Sequence, residues 1–519
     1  MIMAKFITAS EAVSLIADGS TIAAGGFIGT GVAEEIHACV EESFLAKGSP
    51  KNLSLVYAAG IGDGKDRGLN HYGHEGLLKR VIGGHWGLAP KLQPLVAANK
   101  IEAYNFPQGV MSHLFRDIAA SRPRYITHVG LNTFVDPRIS GGKLNEATKE
   151  DLVELVQFDG KEYLSYKPFK IDVAILKGSY ADEDGNISFE EEPLTLEVLA
   201  IAMATRNCGG KIIVQVKNKV RRGSLEPKLV EIPAALVDYV VIATDEKKNM
   251  QTFATQFNTS FVKGNVILEA GALSFPMSER KVIGRRAAML FNKNHKIVNY
   301  GIGMPEAIPM VLQEEGLADA LTPTVEPGIF GGTPAGGLDF GASYVPQSII
   351  NQAYMFDYYD GGGIDIAFLG LAQCDTKGNI NVSKFGPKIA GTGGFVNITQ
   401  NAKTVVFCGT FTAGKLDISI EDSKLKINTE GATKKFVQNV EQITYSGELA
   451  QHSGQVVYYI TERAVFKMEK EGLTLIEIAP GIDLEKDVLA LMDFKPIISA
   501  SLKTMPAEIF KDSLMGLKF

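Results

Sequence analysis

The chain has 519 residues, 45% hydrophobic and 21% charged, enough for two large or three ordinary domains and too much for a single core. Its 52 basic and 59 acidic residues leave a net charge of -7, which argues against a broad cationic surface for nucleic acid. No uninterrupted apolar run is long enough to span a bilayer, so neither nucleic acid nor membrane is expected as a partner. Cys39, Cys208, Cys374 and Cys408 stand far apart without a CxxC pair, the pattern of reduced thiols rather than of a disulfide scaffold or a metal centre. The first residues, MIMAKFITASEAVSLIADGS, place Asp18 within the apolar stretch and lack a basic segment ahead of it. No signal peptide is read, and a cytoplasmic location is expected.

The first predicted unit is STIAAGGFIGTGVAEEIHACV, a strand from Ser20, a glycine turn at Gly25/Gly26, and a helix with Val32, Ile36, Cys39, Val40 and Phe44 on one face. A second strand, SLVYAAGIGDG, ends near Gly60. An elaboration follows over roughly residues 60 to 170, with GGHWGLAPKLQ, NFPQGVMSH and HVGLNTFVDPR. His71, His74 and His85 lack the third partner of a zinc set and read as solvated or core histidines. Next comes DVAILKGSYADEDGNIS from Asp172, then KIIVQV from Lys211. The polar stretch from Asp245 reads as the crossing into a second half that begins near Pro276.

That half repeats the first. HKIVNYGIGMPEAIPMVLQEE from His295 is again strand, glycine turn and helix, with Pro305 as a favoured first helical residue. DIAFLGLAQCDTKGNINVS from Asp365 matches the Asp172 segment without a gap, pairing Asp182 with Asp375 and Asn186 with Asn379, and KTVVFC from Lys403 answers KIIVQV. Short β-rich runs alternating with helical patterns predict buried parallel strands. The fold class is therefore α/β, two related open-sheet domains over 1–255 and 276–519.

The chemistry centres on LTPTVEPGIFGGTPAGGLDFGASY, from Leu321. Glu326 closes a short strand and is followed by Pro327, Gly328, Gly331 and Gly332, so the carboxylate stands at a strand end above a loop of little bulk. Aligning Gly60/Ile61 with Gly328/Ile329 puts Ala58 opposite Glu326: only one half carries the acid. A carboxylate serves as general acid/base or as nucleophile, and a nucleophile wants N–H donors for the developing oxyanion. Gly391, Gly393 and Gly394 of the GTGG turn supply backbone donors, and Gln108 in NFPQGV adds an amide. The turns GGFIGTG and GIGMP open helices but are neither a GxGxxG nor a Walker motif, and no GxSxG elbow is present.

TVEPGIFGGTPAGGLDFGASY, YDGGGIDIAFLGLAQCDTKGNINVSKFGPKIAGTGGFVNITQ and YITERAVFKMEKEGLTLIEIAPGIDLEKDVL resemble the family I coenzyme A transferases, in particular the propionate and acetate CoA-transferase group. The resemblance covers essentially the whole chain. It implies two fused α/β domains with the active site between them, and Glu326 as the catalytic glutamate with Gln108 at the oxyanion. Gly301, Ile302, Gly303, Met304, Asn379, Gly391, Gly393, Gly394 and Lys415 match segments that contact coenzyme A. Coenzyme A is then a substrate, short-chain carboxylates are its partners, no metal or other cofactor is called for, and a homo-oligomer, a tetramer among the options, is expected. An acyl-CoA hydrolase and a non-catalytic ligand-binding α/β protein are the alternative readings.

Overall fold

The computed structural model describes residues 4–267 and 275–519. The chain gathers into two compact units that are not consecutive stretches: residues 325–358 and 384–397 cluster with 1–267, and the rest forms the second unit. A division at 255/276 follows chain order. The compact units instead give the segment carrying Glu326 to the first, because Val325, Ile329, Phe340 and Val396 join its hydrophobic core.

In the first unit eight strands form one sheet: β1 (Lys5–Ile7), β2 (Thr21–Ala24), β3 (Leu53–Tyr57), β4 (Leu78–Gly83), β5 (Glu102–Asn105), β6 (Val173–Lys177), β7 (Lys211–Val216) and β8 (Tyr239–Ile242). Their order is β1-β8-β7-β6-β2-β3-β4-β5, and every pairing is parallel. Such a sheet must be covered on both faces, which explains its continuous apolar strands. Alternation does the sorting: Ala23, Val56, Ala174 and Ile212 enter one core, while Ile22, Leu55, Ile175 and Ile213 enter the other. Strand order reverses between β2 and β6, and ligands of open parallel sheets bind beyond the carboxyl ends of the strands near such a point.

The helix predicted after Gly31 is α1 (Glu34–Lys47). Its Glu34 and Glu41 hold His71, one at each ring nitrogen, and Glu41 also accepts from His74 Nε2 at 2.6 Å. Burial disfavours the charged His71 ring, but the two carboxylates outweigh it and raise its pKa, while Glu41 is lowered despite its own burial. A raised pKa means that the folded protein holds this proton more tightly. The stabilisation is complete below the unfolded value of about 6.5 and is lost as pH rises through the folded value; the Glu41 share is lost at the acid end. His71→Gln should therefore lower the unfolding free energy near pH ~6 by about 1–3 kcal/mol and flatten its decline at higher pH, read from denaturant melts across pH.

The second unit is built on β9 (Ile297–Tyr300), β10 (Thr322–Val325), β11 (Ile366–Gly370), β12 (Thr404–Cys408), β13 (Val456–Ile460), β14 (Ala464–Glu469), β15 (Gly472–Ile478) and β16 (Ile497–Thr504). They run in the order β10-β9-β11-β12-β13-β14-β15-β16. The first five are mutually parallel, and β14 and β15 turn the sheet mixed by antiparallel pairing. The four repeat strands lie side by side in matching order, β3-β2-β6-β7 in one unit and β10-β9-β11-β12 in the other. The paired aspartates act alike: Asp172 accepts from Thr21 N at 2.9 Å, and Asp365 from Ile297 N at 3.0 Å, each carboxylate stitching its strand to the neighbour. Pro305 sits not in the α-helix but in a 3-10 turn (Met304–Glu306) ahead of α-helix Ala307–Glu314. Among the described residues no helix is long and apolar enough to cross a membrane.

Candidate active site

Glu326 is the first residue after β10, as Ala58 is the first after the corresponding strand β3. Two residues earlier, Thr324 is pinned: its hydroxyl donates to Val298 O at 3.1 Å and accepts from Tyr359 Oη at 2.8 Å. The half-buried Glu326 then begins a turn closed by Gly328 N donating to Val325 O at 3.0 Å. Gly328 is indispensable here. Its φ is 126°, and a Cβ would lie 1.9 Å from Ile350 O. The chain continues as the hairpin Ile329–Phe330/Ser348–Ile349, and Ile350 N donates to Gly328 O at 2.8 Å. Gly328→Ala should spread this hairpin and displace the carboxylate, with a loss in kcat of about 10²-fold at retained secondary structure, measured by turnover and circular dichroism.

The same hairpin reaches Gln108. Two residues beyond Ile350, Gln352 Oε1 accepts from Gln108 Nε2 at 3.1 Å. Gln352 Nε2 donates to Ser112 Oγ at 2.8 Å, and Ser112 Oγ donates to Gln108 O at 2.9 Å, closing a ring of buried bonds. Gln108 is not a solvated loop amide. It opens helix α2 (Gln108–Ala119) just beyond β5 and is 1% exposed. Its amide has one hydrogen committed to Gln352 and a second to offer.

The glycine turn 391–394 lies over the carboxyl ends of β4 and β5. Gly393 N donates to Gly84 O at 2.7 Å, Gln108 N to Gly393 O at 2.9 Å, and Thr392 N to Asn105 Oδ1 at 3.0 Å. This corrects one expectation. The Gly393 N–H is consumed in docking the turn, and Gly394 keeps an N–H with no acceptor among the described residues.

The remaining predicted residues belong to the second unit. Gly301 follows β9, Ile302 is exposed, and Gly303 has φ 89° with open space where a Cβ would stand, so the GIGM loop is accessible. Lys415 is exposed at φ 62° in the loop before Asp417. Asn379 is 5% exposed and holds a turn: Nδ2 donates to Asp375 Oδ2 at 3.0 Å and Oδ1 accepts from Gly447 N at 3.0 Å. Its repeat partner Asn186 does the same with Asp182 and Ala234 N, so the motif is a turn lock used twice. His85, read from the sequence as a solvated or core histidine, sits beside Gly393. A lone histidine in GGHWG carries no local signal.

A carboxylate beside a hairpin whose continuation bonds a buried side-chain amide, with a glycine turn bonded to the backbone N–H of that amide's residue, suits group transfer by a carboxylate nucleophile. Comparison with known proteins narrows this. The family model for coenzyme A transferase matches residues 6–243. The chain is 48% identical over 521 residues to caffeate CoA-transferase of Acetobacterium woodii, covering 99% of each. It is 43% identical to acetate CoA-transferase YdiF of Escherichia coli strain K12, covering 98% of this chain and 96% of that one. The apoenzyme structure of YdiF from E. coli O157:H7 superposes with a TM-score of 0.94 at 42% identity over 99% of this chain and 98% of that one. A thioester complex of that enzyme with CoA superposes equally well, with a TM-score of 0.94. The chain belongs to the coenzyme A transferase family and is a CoA-transferase.

Proposed function

We propose that the enzyme moves coenzyme A between short-chain carboxylic acids, acetate and propionate among them, through a thioester on Glu326. The observation that carries this is the placement of Glu326 on the hairpin that also holds Gln352 and, through it, the Gln108 amide. A Glu326 carboxylate oxygen attacks the acyl-CoA carbonyl, the C–S bond breaks, and an acyl-glutamyl anhydride and CoA thiolate result. The thiolate attacks the glutamyl carbonyl and expels the acid as its carboxylate, leaving glutamyl-CoA. A second carboxylate attacks that thioester, and the returning thiolate takes the new acyl group and frees Glu326. One thioester replaces another, so no ATP is required. Gln108 and the Gly394 N–H serve the oxyanion, while the accessible GIGM loop and Lys415 serve coenzyme A, whose remote contacts lend energy to the acyl step. Asn379 is left out of this assignment because it is buried in a turn that it holds through both ends of its amide. A homo-oligomer is the assembly that the family resemblance supports.

The acid is the open choice. Relatives named for caffeate and for acetate are 48% and 43% identical, so the acceptor panel runs from acetate to an aryl-propenoate. With acetyl-CoA as donor, initial rates at varied donor and acceptor should give parallel double-reciprocal lines, since the first acid leaves before the second enters. Converging lines overturn the carrier scheme, and thiol release without an acceptor at the transfer rate makes the enzyme a hydrolase.

A further inference from the structure

We propose that His113 is a positioning residue of the transfer reaction: its Nε2–H ties the segment that follows the Glu326 hairpin to the helix opened by Gln108, and so fixes the Gln108 amide. The proposal rests on the reading of Glu326 and Gln108 given above. His113 lies on α2, a little over one turn beyond Gln108, and is 3% exposed. Its Nε2 stands 3.0 Å from Ala353 O and 3.0 Å from Asp357 Oδ1. A carbonyl and a carboxylate both accept, so the ring proton belongs on Nε2. Asp357 is held as that acceptor: burial opposes its charge, but hydrogen bonds from His113 and Arg116 outweigh burial and keep its pKa down at about 2. The other ring nitrogen meets Tyr125 Oη at 2.7 Å. The imidazole is thus gripped on both edges.

The backbone that His113 holds is the neighbour of Gln352. Ala353 is the next residue along the helix Gln352–Asp360, and Gln352 divides its amide between Gln108 Nε2 at 3.1 Å and Ser112 Oγ at 2.8 Å. Gln108, Ser112 and Arg116 are successive i, i+4 positions of α2, with His113 beside them, and Arg116 Nη1 donates to Asp357 Oδ2 at 2.8 Å. The approach is close, since a Cβ on Gly109 would lie 2.6 Å from Phe356 Cδ1. All of these residues lie in the first compact unit. Among the contacts, the Arg116–Asp357 pair is partly exposed and therefore screened, whereas the His113 bond to Ala353 O is buried and acts on the backbone beside Gln352. Without it that backbone can shift against α2. Gln352 Oε1 would then carry the Gln108 amide with it, and misplacement by ~1 Å in a supporting residue can cost about 10²-fold in rate. His113 acts through Gln352 and Gln108, not on the reacting atoms.

The test is a double-mutant cycle read by the covalent CoA adduct formed from acetyl-CoA without acceptor, followed by intact mass. His113→Leu should slow adduct formation by about tenfold or more, with the half-saturating acetyl-CoA concentration within about threefold. His113→Gln, whose amide reaches the place of Nε2, should stay within about threefold of wild type. In a Gln108→Ala background His113→Leu should cost less than about twofold, because the amide it positions is gone, whereas a merely structural histidine would cost the same factor in both backgrounds. A wild-type rate in His113→Leu, equal losses in the two backgrounds, no recovery in His113→Gln, or a loss carried by the half-saturating concentration overturns the proposal alone. A wild-type rate in Gln108→Ala, or no adduct in wild type, removes the underlying reading as well. Should His113→Leu fail to fold, His113→Asn takes its place: the shorter amide does not reach Ala353 O, so it should be about tenfold slower than His113→Gln, and equal rates in the two overturn the role.

Discussion

Glu326→Gln should abolish CoA transfer, with a fall of about 10⁴-fold or more, because it keeps the size of the side chain and removes the only nucleophile the scheme provides. Glu326→Asp should be nearly as inactive. Shortening by one methylene withdraws the oxygen beyond the ~0.5 Å tolerance of a preorganised site, and the turn cannot follow, since Gly328 is held against Ile350 O and Thr324 is bonded on both sides. Wild-type circular dichroism in both variants separates loss of the nucleophile from loss of the fold. Wild type incubated with acyl-CoA alone, trapped with borohydride or hydroxylamine and digested, should carry its label on the peptide containing Glu326. A label on any other residue defeats the assignment.

Gln108→Ala should lower kcat by about 10²- to 10³-fold and leave the KM for acyl-CoA nearly unchanged, the pattern of a donor that acts when charge reaches the carbonyl oxygen. Its removal also strands Gln352 Oε1 in the interior, which adds a stability cost of about 1–3 kcal/mol. The two effects are separable. Gln352→Ala breaks the same bond but leaves the Gln108 amide in place, so it should share the fall in melting temperature and lose much less of kcat. A Gln108→Ala enzyme that keeps kcat within about tenfold, or loses activity through KM, would remove Gln108 from the oxyanion role.

The pattern of apolar runs and glycine turns was sufficient for the parallel strands β2, β6 and β7 and their counterparts β9, β11 and β12. A strand buried on both faces writes its burial into consecutive residues, and a repeat writes it twice. The Ala58/Glu326 alignment came from the same local signal, and both residues follow equivalent strands. The burial of Gln108 at the start of a helix and the use of Asn379 to hold a turn leave no such local signal.

What the sequence by itself determined is thus the α/β class, the duplicated succession of strands along the chain and the one carboxylate set at a strand end, each a property of neighbours along the chain. Tertiary structure alone decided which unit owns that carboxylate, which glycine N–H is spent and which side chains converge. The physical reason is that those outcomes rest on partners far apart in sequence: Gly393 on Gly84, Gln352 on Gln108, His85 against Gly60 and Gly391. A hydrogen bond consumes a donor wherever its acceptor comes from, and no spacing of residues along the chain records that consumption.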